Sequence, residues 1–176
     1  MTLREHLESR GMDVDRYHAI LDEEKYIATF LLFNASRQLT GYQRYNPNST
    51  DKKANDPETG RYYTYTPRGV DAIFGLESIT FNSPKPLFVV EGVFKQTALT
   101  RLGYDAIAVL TSDPKRMRPL FRIMRRQRPV IGIGDADPAG ARLVRRLGAG
   151  GCSQRDLDEM GDEEIHTFVH QLTKDY

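Results

Sequence analysis

The chain has 176 residues, 39% of them hydrophobic and 28% charged, with a formal net charge of +1. This length and balance exclude a disordered chain and favour one globular domain, or one domain with a smaller appendage. The single cysteine, Cys152, excludes an internal disulfide and a zinc site of several cysteines. No apolar run approaches the roughly 20 residues of a membrane span, and the N-terminus has no apolar signal segment, so we expect a cytoplasmic protein.

The N-terminal half predicts two helices followed by a small antiparallel sheet. The helices are expected over 2–10 and 13–24, with a break at Gly11 and with Asp13 as the N-cap of the second. Segments rich in aromatic and β-branched residues predict three strands, at 26–34, 39–45 and 61–66. The first two strands form a hairpin across the turn "NASRQ", and the polar stretch 46–60 is a loop.

In the C-terminal half, apolar strands alternate with helical segments, which is typical of a parallel sheet covered by helices on both faces. The predicted strands are 87–92, 106–110 and 129–134. The predicted helices are 93–103, 113–128, 137–148 and 162–172. Asp113 is the expected N-cap of the helix at 113–128, and Pro114 its first residue.

Acidic residues follow two of these strands at the point where each strand ends. Glu91 comes after "LFVV", and Asp135 and Asp137 come after "VIGIG". Parallel α/β sheets bind their ligands at the carboxyl ends of the strands. Three carboxylates at one edge repel one another, and a shared Mg²⁺ ion, which prefers oxygen ligands, removes the repulsion. The alternative, that the two aspartates only cap the next helix, explains one of them better than the pair.

The segments "VVEG" and "GDADPAG" resemble the TOPRIM domain of primases, topoisomerases and related nucleases, and the resemblance covers roughly residues 86–150. It implies a compact parallel α/β domain. It also implies that Glu91, Asp135 and Asp137 bind Mg²⁺, with Mn²⁺ as an alternative ion, in phosphoryl or nucleotidyl transfer.

One position departs from the family pattern. Many primases have an aspartate three residues after the Glu-Gly dipeptide, whereas this chain has Lys95 there, so we expect no fourth ligand from this motif. Asp156 and Asp158 follow later in "RDLDEM". Two interpretations of this pair stay open: further acidic groups of the site, or a solvated segment leading to the last helix.

The segment 52–77 resembles the stretch that precedes the TOPRIM domain in bacterial DnaG-type primases. The matching residues are Lys52, Asn55, Pro57, Glu58, Thr59, Phe74, Gly75 and Leu76, with Gly41, Tyr42 and Arg44 in the preceding hairpin. The resemblance implies that Lys52, Arg44 and Asn55 hold the phosphates of an incoming nucleotide or the template. Without the resemblance, "DKKAND" is better interpreted as a solvated loop.

The segment 115–128 is rich in basic residues and contains no acidic residue. One stripe of the predicted helix carries Lys115, Arg118, Arg122 and Arg125. A stripe of one charge is the electrostatic pattern of a surface that binds phosphate backbones, whereas an ordinary solvated face carries both signs. Nucleic acid is therefore the expected partner, with an acidic protein surface as the competing interpretation.

These observations predict an α/β protein with two parts. Residues 1–85 form the N-terminal helices and a small α+β subdomain with an antiparallel hairpin, and residues 86–176 form the TOPRIM domain and a C-terminal helix. The predicted function is Mg²⁺-dependent synthesis of short RNA primers from ribonucleoside triphosphates on single-stranded DNA, without the zinc-binding and helicase-interaction domains of full bacterial primases. A phage or mobile-element protein fits this small size, and a helicase or other replication protein is the expected protein partner.

Two other functions stay open at this stage. A TOPRIM nuclease would use the same carboxylates to cut nucleic acid, and only the upstream segment favours a primase over it. A non-catalytic module that binds nucleic acid or a replication protein is the second alternative.

Overall fold

The computed structural model of the chain describes residues 1–52, 54–80, 82–174 and 176. Two four-stranded sheets form its centre. The first sheet is antiparallel, in the order β1-β2-β3-β4. Its strands are β1 (Ile20–Asp22), β2 (Ile27–Phe33), β3 (Leu39–Tyr45) and β4 (Tyr62–Tyr65).

The second sheet is parallel throughout, in the order β6-β5-β7-β8. Its strands are β5 (Leu87–Val90), β6 (Asp105–Ala108), β7 (Val130–Asp135) and β8 (Gly150–Ser153). The α-helices are α1 (Leu3–Ser9), α2 (Val93–Thr100), α3 (Arg118–Met124), α4 (Pro138–Leu147) and α5 (Asp162–Thr173). The expected α/β class, with an antiparallel sheet before a parallel sheet flanked by helices, is confirmed. In the described ranges, no helix combines the length and apolarity needed to cross a bilayer.

A short connection joins the two sheets. Ile73 forms a β-bridge with Phe33 of the antiparallel sheet, and the next residue, Phe74, forms one with Ala108 of the parallel sheet. The side chain of Phe74 is fully buried and meets Phe30 with 5.8 Å between the ring centroids. One apolar cluster therefore contains residues from both sheets. The division into 1–85 and 86–176 stays a prediction.

The helix predicted over 13–24 is wrong. Asp13 accepts a hydrogen bond from the Arg16 backbone, but the turn it stabilises ends at His18, which has a φ of 49°. The chain then enters β1, which pairs with β2. A residue with a positive φ interrupts a right-handed helix, because such a helix requires a negative φ at every residue.

The predicted helix at 113–128 is shorter than expected. A 3₁₀ turn covers Lys115–Met117, and α3 begins only at Arg118. Pro119 explains this start, because proline has no N–H and is tolerated in the first turn of a helix but not in its interior. Asp113 is not an N-cap; its carboxylate instead accepts a hydrogen bond from Arg146 at 2.6 Å.

Candidate active site

Two adjacent strands bring the predicted acidic residues to one edge of the parallel sheet. β5 and β7 pair in parallel, so their carboxyl ends lie side by side. Glu91 directly follows β5, and Asp135 is the last residue of β7. Both side chains are half-buried. The sequence predicted both carboxylates at this edge, because the carboxyl ends of parallel strands all lie at the same edge of a sheet.

Asp137 has a second role at this edge. It is the N-cap of α4, and its Oδ1 accepts a hydrogen bond from the Gly140 backbone at 2.7 Å. The capping interpretation therefore holds for Asp137. It does not hold for Asp135, whose carboxylate instead contacts the ammonium group of Lys95.

The junction between β7 and α4 is unusually close. A Cβ atom added at Gly134 would lie 2.3 Å from the Gly140 backbone, and one added at Gly140 would lie 2.2 Å from the backbone of Asp135. Only glycine fits at either position without moving the backbone. This contact fixes where Asp135 leaves the strand and where α4 begins.

Lys95 is the residue of this edge whose role the sequence did not reveal. It lies in the first turn of α2, and its ammonium group contacts Asp135 and lies 3.1 Å from the Asp156 carboxylate. Burial alone would lower the pKa of Lys95, but the two carboxylates outweigh burial and raise its pKa. Lys95 thus stays charged and joins the end of β7 to the segment that follows β8.

The surroundings of Glu91 disfavour its charged form. Burial raises the pKa of Glu91, and the charges of Asp135 and Asp137 raise it further. Lys95 and Arg142, a residue of α4, act in the opposite direction. The acidic side chains are therefore near enough to influence one another, and two basic groups lie among them.

The chemistry of these groups fits a magnesium ion, since carboxylate oxygens are the donors that it prefers. In the arrangement of the described residues, no three His, Cys, Asp or Glu side chains are grouped so that they could hold one metal ion. Lys95 lies between Asp135 and Asp156, and of these two only Asp135 is a predicted ligand. The ion itself stays a prediction.

The two later aspartates have different surroundings. Asp156 reaches the acidic edge through Lys95. Asp158 is buried and contacts Arg10, whose guanidinium also lies over the Phe94 ring, 3.6 Å from its centroid. The segment is therefore not simply solvated, and of the two aspartates only Asp156 contacts Lys95 at the acidic edge.

The upstream residues are spread over a strand and a loop. Arg44 lies in β3 opposite Tyr63, and Lys52 is exposed in the loop before β4. The Asn55 side chain accepts a hydrogen bond from the Thr64 backbone at 3.3 Å. In the described ranges, no ion pair joins Arg44 or Lys52 to the acidic edge. Nucleotide binding by these residues stays a prediction.

The residues of the predicted basic stripe differ in their exposure and in their contacts. Arg118 and Arg122 are exposed, and no salt bridge holds either within the described residues. Lys115 pairs with Asp113 at 3.2 Å, and Arg125 donates to the Leu147 carbonyl. Arg128, from the same run, is 3% exposed and buried against Asp105, so it belongs to the core.

No known protein family matches this chain by sequence, and no curated protein does either. Solved structures do match. The E. coli primase catalytic core superposes with a TM-score of 0.69 at 16% identity, over 96% of this chain and 72% of that one. The primase fragment of the bacteriophage T7 primase-helicase gives 0.66 at 15% identity, over 89% and 69%. A DnaG primase catalytic domain bound to single-stranded DNA gives 0.61 at 17% identity, over 96% and 60%. The chain has the fold of a DnaG-type primase catalytic core.

Proposed function

We propose that the chain is a primase-like nucleotidyltransferase that makes short RNA primers on single-stranded DNA with Mg²⁺. The observation that carries the proposal is the acidic edge: Glu91 and Asp135 end adjacent parallel strands, with Asp137 beside them, in a primase-core fold. Carboxylates at this edge of an α/β sheet suit metal-assisted phosphoryl chemistry.

Each residue has a distinct part in this proposal. Glu91, Asp135 and Asp137 would hold Mg²⁺, or Mn²⁺ in its place. When bound, the ion would neutralise the triphosphate and help to activate the 3′-hydroxyl of the growing primer. Arg142, a residue of α4, opposes the rise in the pKa of Glu91, and its guanidinium would bind phosphate oxygens at the same edge.

Two further groups of residues would bind the nucleic acid and the nucleotide. Arg44, Lys52 and Asn55 would bind the incoming triphosphate or the template. The exposed guanidiniums of Arg118 and Arg122 would attract the template backbone. The DnaG primase catalytic domain solved with single-stranded DNA supports this choice of template. We also propose a helicase or another replication protein as a partner. The T7 primase-helicase fragment supports this choice.

The direct test is primer synthesis with single-stranded DNA, labelled ribonucleoside triphosphates and Mg²⁺ or Mn²⁺. We expect wild-type protein to yield short oligonucleotides. A double variant, Asp135→Asn with Asp137→Asn, should lose about 100-fold or more of this activity. Asparagine keeps the shape of both side chains and caps helices as well as aspartate, so the variant should remain folded.

Asp15→Asn with Glu8→Gln is the matched control, because it also removes two carboxylates, both of which pair with Arg4 at the surface. Its activity should equal that of the wild type. If the template is shortened and no new product forms, the protein is a nuclease rather than a primase. Nucleic-acid binding without any turnover, unchanged in the double variant, would replace the proposal with a binding module.

A further inference from the structure

The ammonium group of Lys95 lies between a carboxylate at the end of β7 and one in the segment after β8. Asp135 ends β7, Asp156 follows β8, and the Lys95 ammonium contacts both. The lysine side chain is only 15% exposed, whereas the two carboxylates are 39% and 45% exposed. The positive charge is therefore held on the inner side of the pair, away from water.

The helix that carries Lys95 is firmly anchored. Its neighbours Phe94 and Gln96 are buried, and the Gln96 side chain donates to the Ala106 carbonyl at 3.0 Å and to the Tyr17 hydroxyl at 3.1 Å. The first turn of α2 consequently has little freedom to move the lysine out of the edge. A charge fixed in this way costs less to hold between two carboxylates than a mobile one.

A tethered ammonium group and a bound divalent cation have the same electrostatic effect on neighbouring carboxylates. Each neutralises carboxylates that would otherwise repel one another, and the two cannot occupy the same position. The Lys95 ammonium already takes the position between the Asp135 and Asp156 carboxylates that such an ion would need.

We propose that Lys95 is a built-in cation that replaces a divalent metal ion at the Asp135–Asp156 position, so that this edge binds one metal ion fewer than it would with a neutral residue at 95. The proposal shares with the proposed function the view that the edge binds cations. It does not require that the protein makes primers.

The test is equilibrium binding of Mn²⁺, followed by the loss of the free-ion signal in electron paramagnetic resonance. Lys95→Gln should bind one more equivalent of Mn²⁺ than the wild type, and Lys95→Arg, which keeps the charge, should bind as the wild type does. Arg101→Gln is the matched control. It removes one positive charge at the opposite end of α2, where Arg101 pairs with Asp162 at 2.6 Å.

Equal Mn²⁺ binding by wild type and Lys95→Gln would overturn the proposal. An equal gain in Arg101→Gln would also overturn it, because the effect would then be one of net charge. If Lys95→Gln is unfolded without metal, circular dichroism decides: recovery of the folded spectrum with Mn²⁺ supports the proposal, and no recovery at saturating Mn²⁺ overturns it.

A wild-type protein that makes no primers, with the extra equivalent still seen in Lys95→Gln, would contradict only the proposed function. Primer synthesis by the wild type with no difference in Mn²⁺ binding would contradict only the role of Lys95. The two proposals are therefore separable in the same set of proteins.

Discussion

Glu77 is a half-buried carboxylate outside the candidate site whose charge opposes folding. One of its oxygens, Oε2, is buried and has no hydrogen-bond partner in the described part of the chain. Burial raises the pKa of Glu77, although His18, Arg16 and Arg37 act against this. The folded state therefore holds the proton more tightly than the unfolded state. The charged form lowers stability at neutral pH, and this loss disappears as the pH falls through the raised pKa.

Glu77→Gln should raise the melting temperature at pH 8 by about 2–4 °C, which corresponds to roughly 1 kcal/mol for a chain of this size. The gain should vanish below about pH 4, where the carboxyl group is protonated in both states. Thermal unfolding of both proteins at the two pH values measures it. A variant that is less stable than the wild type at pH 8 would contradict this account.

Residue type and position at a strand end were enough to predict Glu91, Asp135 and Asp137. The contact of Lys95 with Asp156 was beyond reach for a physical reason. Asp156 comes to the edge only because β8 pairs with β7, and β8 is the sequence "GGCS", which has no β-branched or aromatic residue. Without that strand, no pattern places Asp156 beside Lys95.

At the scale of elements, the junction of β7 and α4 decides where the acidic edge forms. Alanine is normally better than glycine inside a helix by about 1 kcal/mol. At Gly140 the added Cβ would meet the Asp135 backbone at 2.2 Å. We therefore expect Gly140→Ala to lower the free energy of unfolding by about 1–3 kcal/mol, as overpacking does.

Urea denaturation measures this loss, and Gly92→Ala is the control. A Cβ at Gly92 meets no atom within 4 Å, and its φ of −105° suits any residue. Gly92 is the N-cap of α2, where alanine is a poorer residue than glycine, so the control should lose less than about 1 kcal/mol. Equal losses in the two variants would show that the close junction is not the cause.

In other elements the backbone conformation overrides the secondary structure that the local sequence pattern predicts. The late start of α3 was predictable, because Pro119 excludes a helix that begins five residues earlier. The turn after Asp13 was not. Its residues suit a helix, and only the left-handed conformation of His18 and the pairing of β1 with β2 end it.

For the whole molecule, a net charge of +1 conceals a surface with separate acidic and basic regions. Arg118 and Arg122 should contribute to nucleic-acid binding as free cations. Replacing both by glutamine should weaken binding to single-stranded DNA by about tenfold and reduce the slope of log Kd against log salt by roughly 1.4, for two lost phosphate contacts. Fluorescence anisotropy at several salt concentrations measures both.

The control for this prediction removes the same charge elsewhere. Arg101→Gln with Arg155→Gln disrupts two surface ion pairs, with Asp162 and Glu164. Its affinity and salt slope should stay near those of the wild type. If the two double variants lose affinity equally, net charge rather than the basic stripe attracts the DNA.

The pair of β-bridges at Ile73 and Phe74 has a consequence for how the molecule comes apart. Each sheet supplies hydrogen-bond partners to this connection, and Phe74 belongs to the core that they share. Opening one sheet would remove hydrogen-bond partners and packing from the other, so we expect the two sheets to unfold in one transition. The acidic edge and the sheet that carries Arg44 should then be lost together.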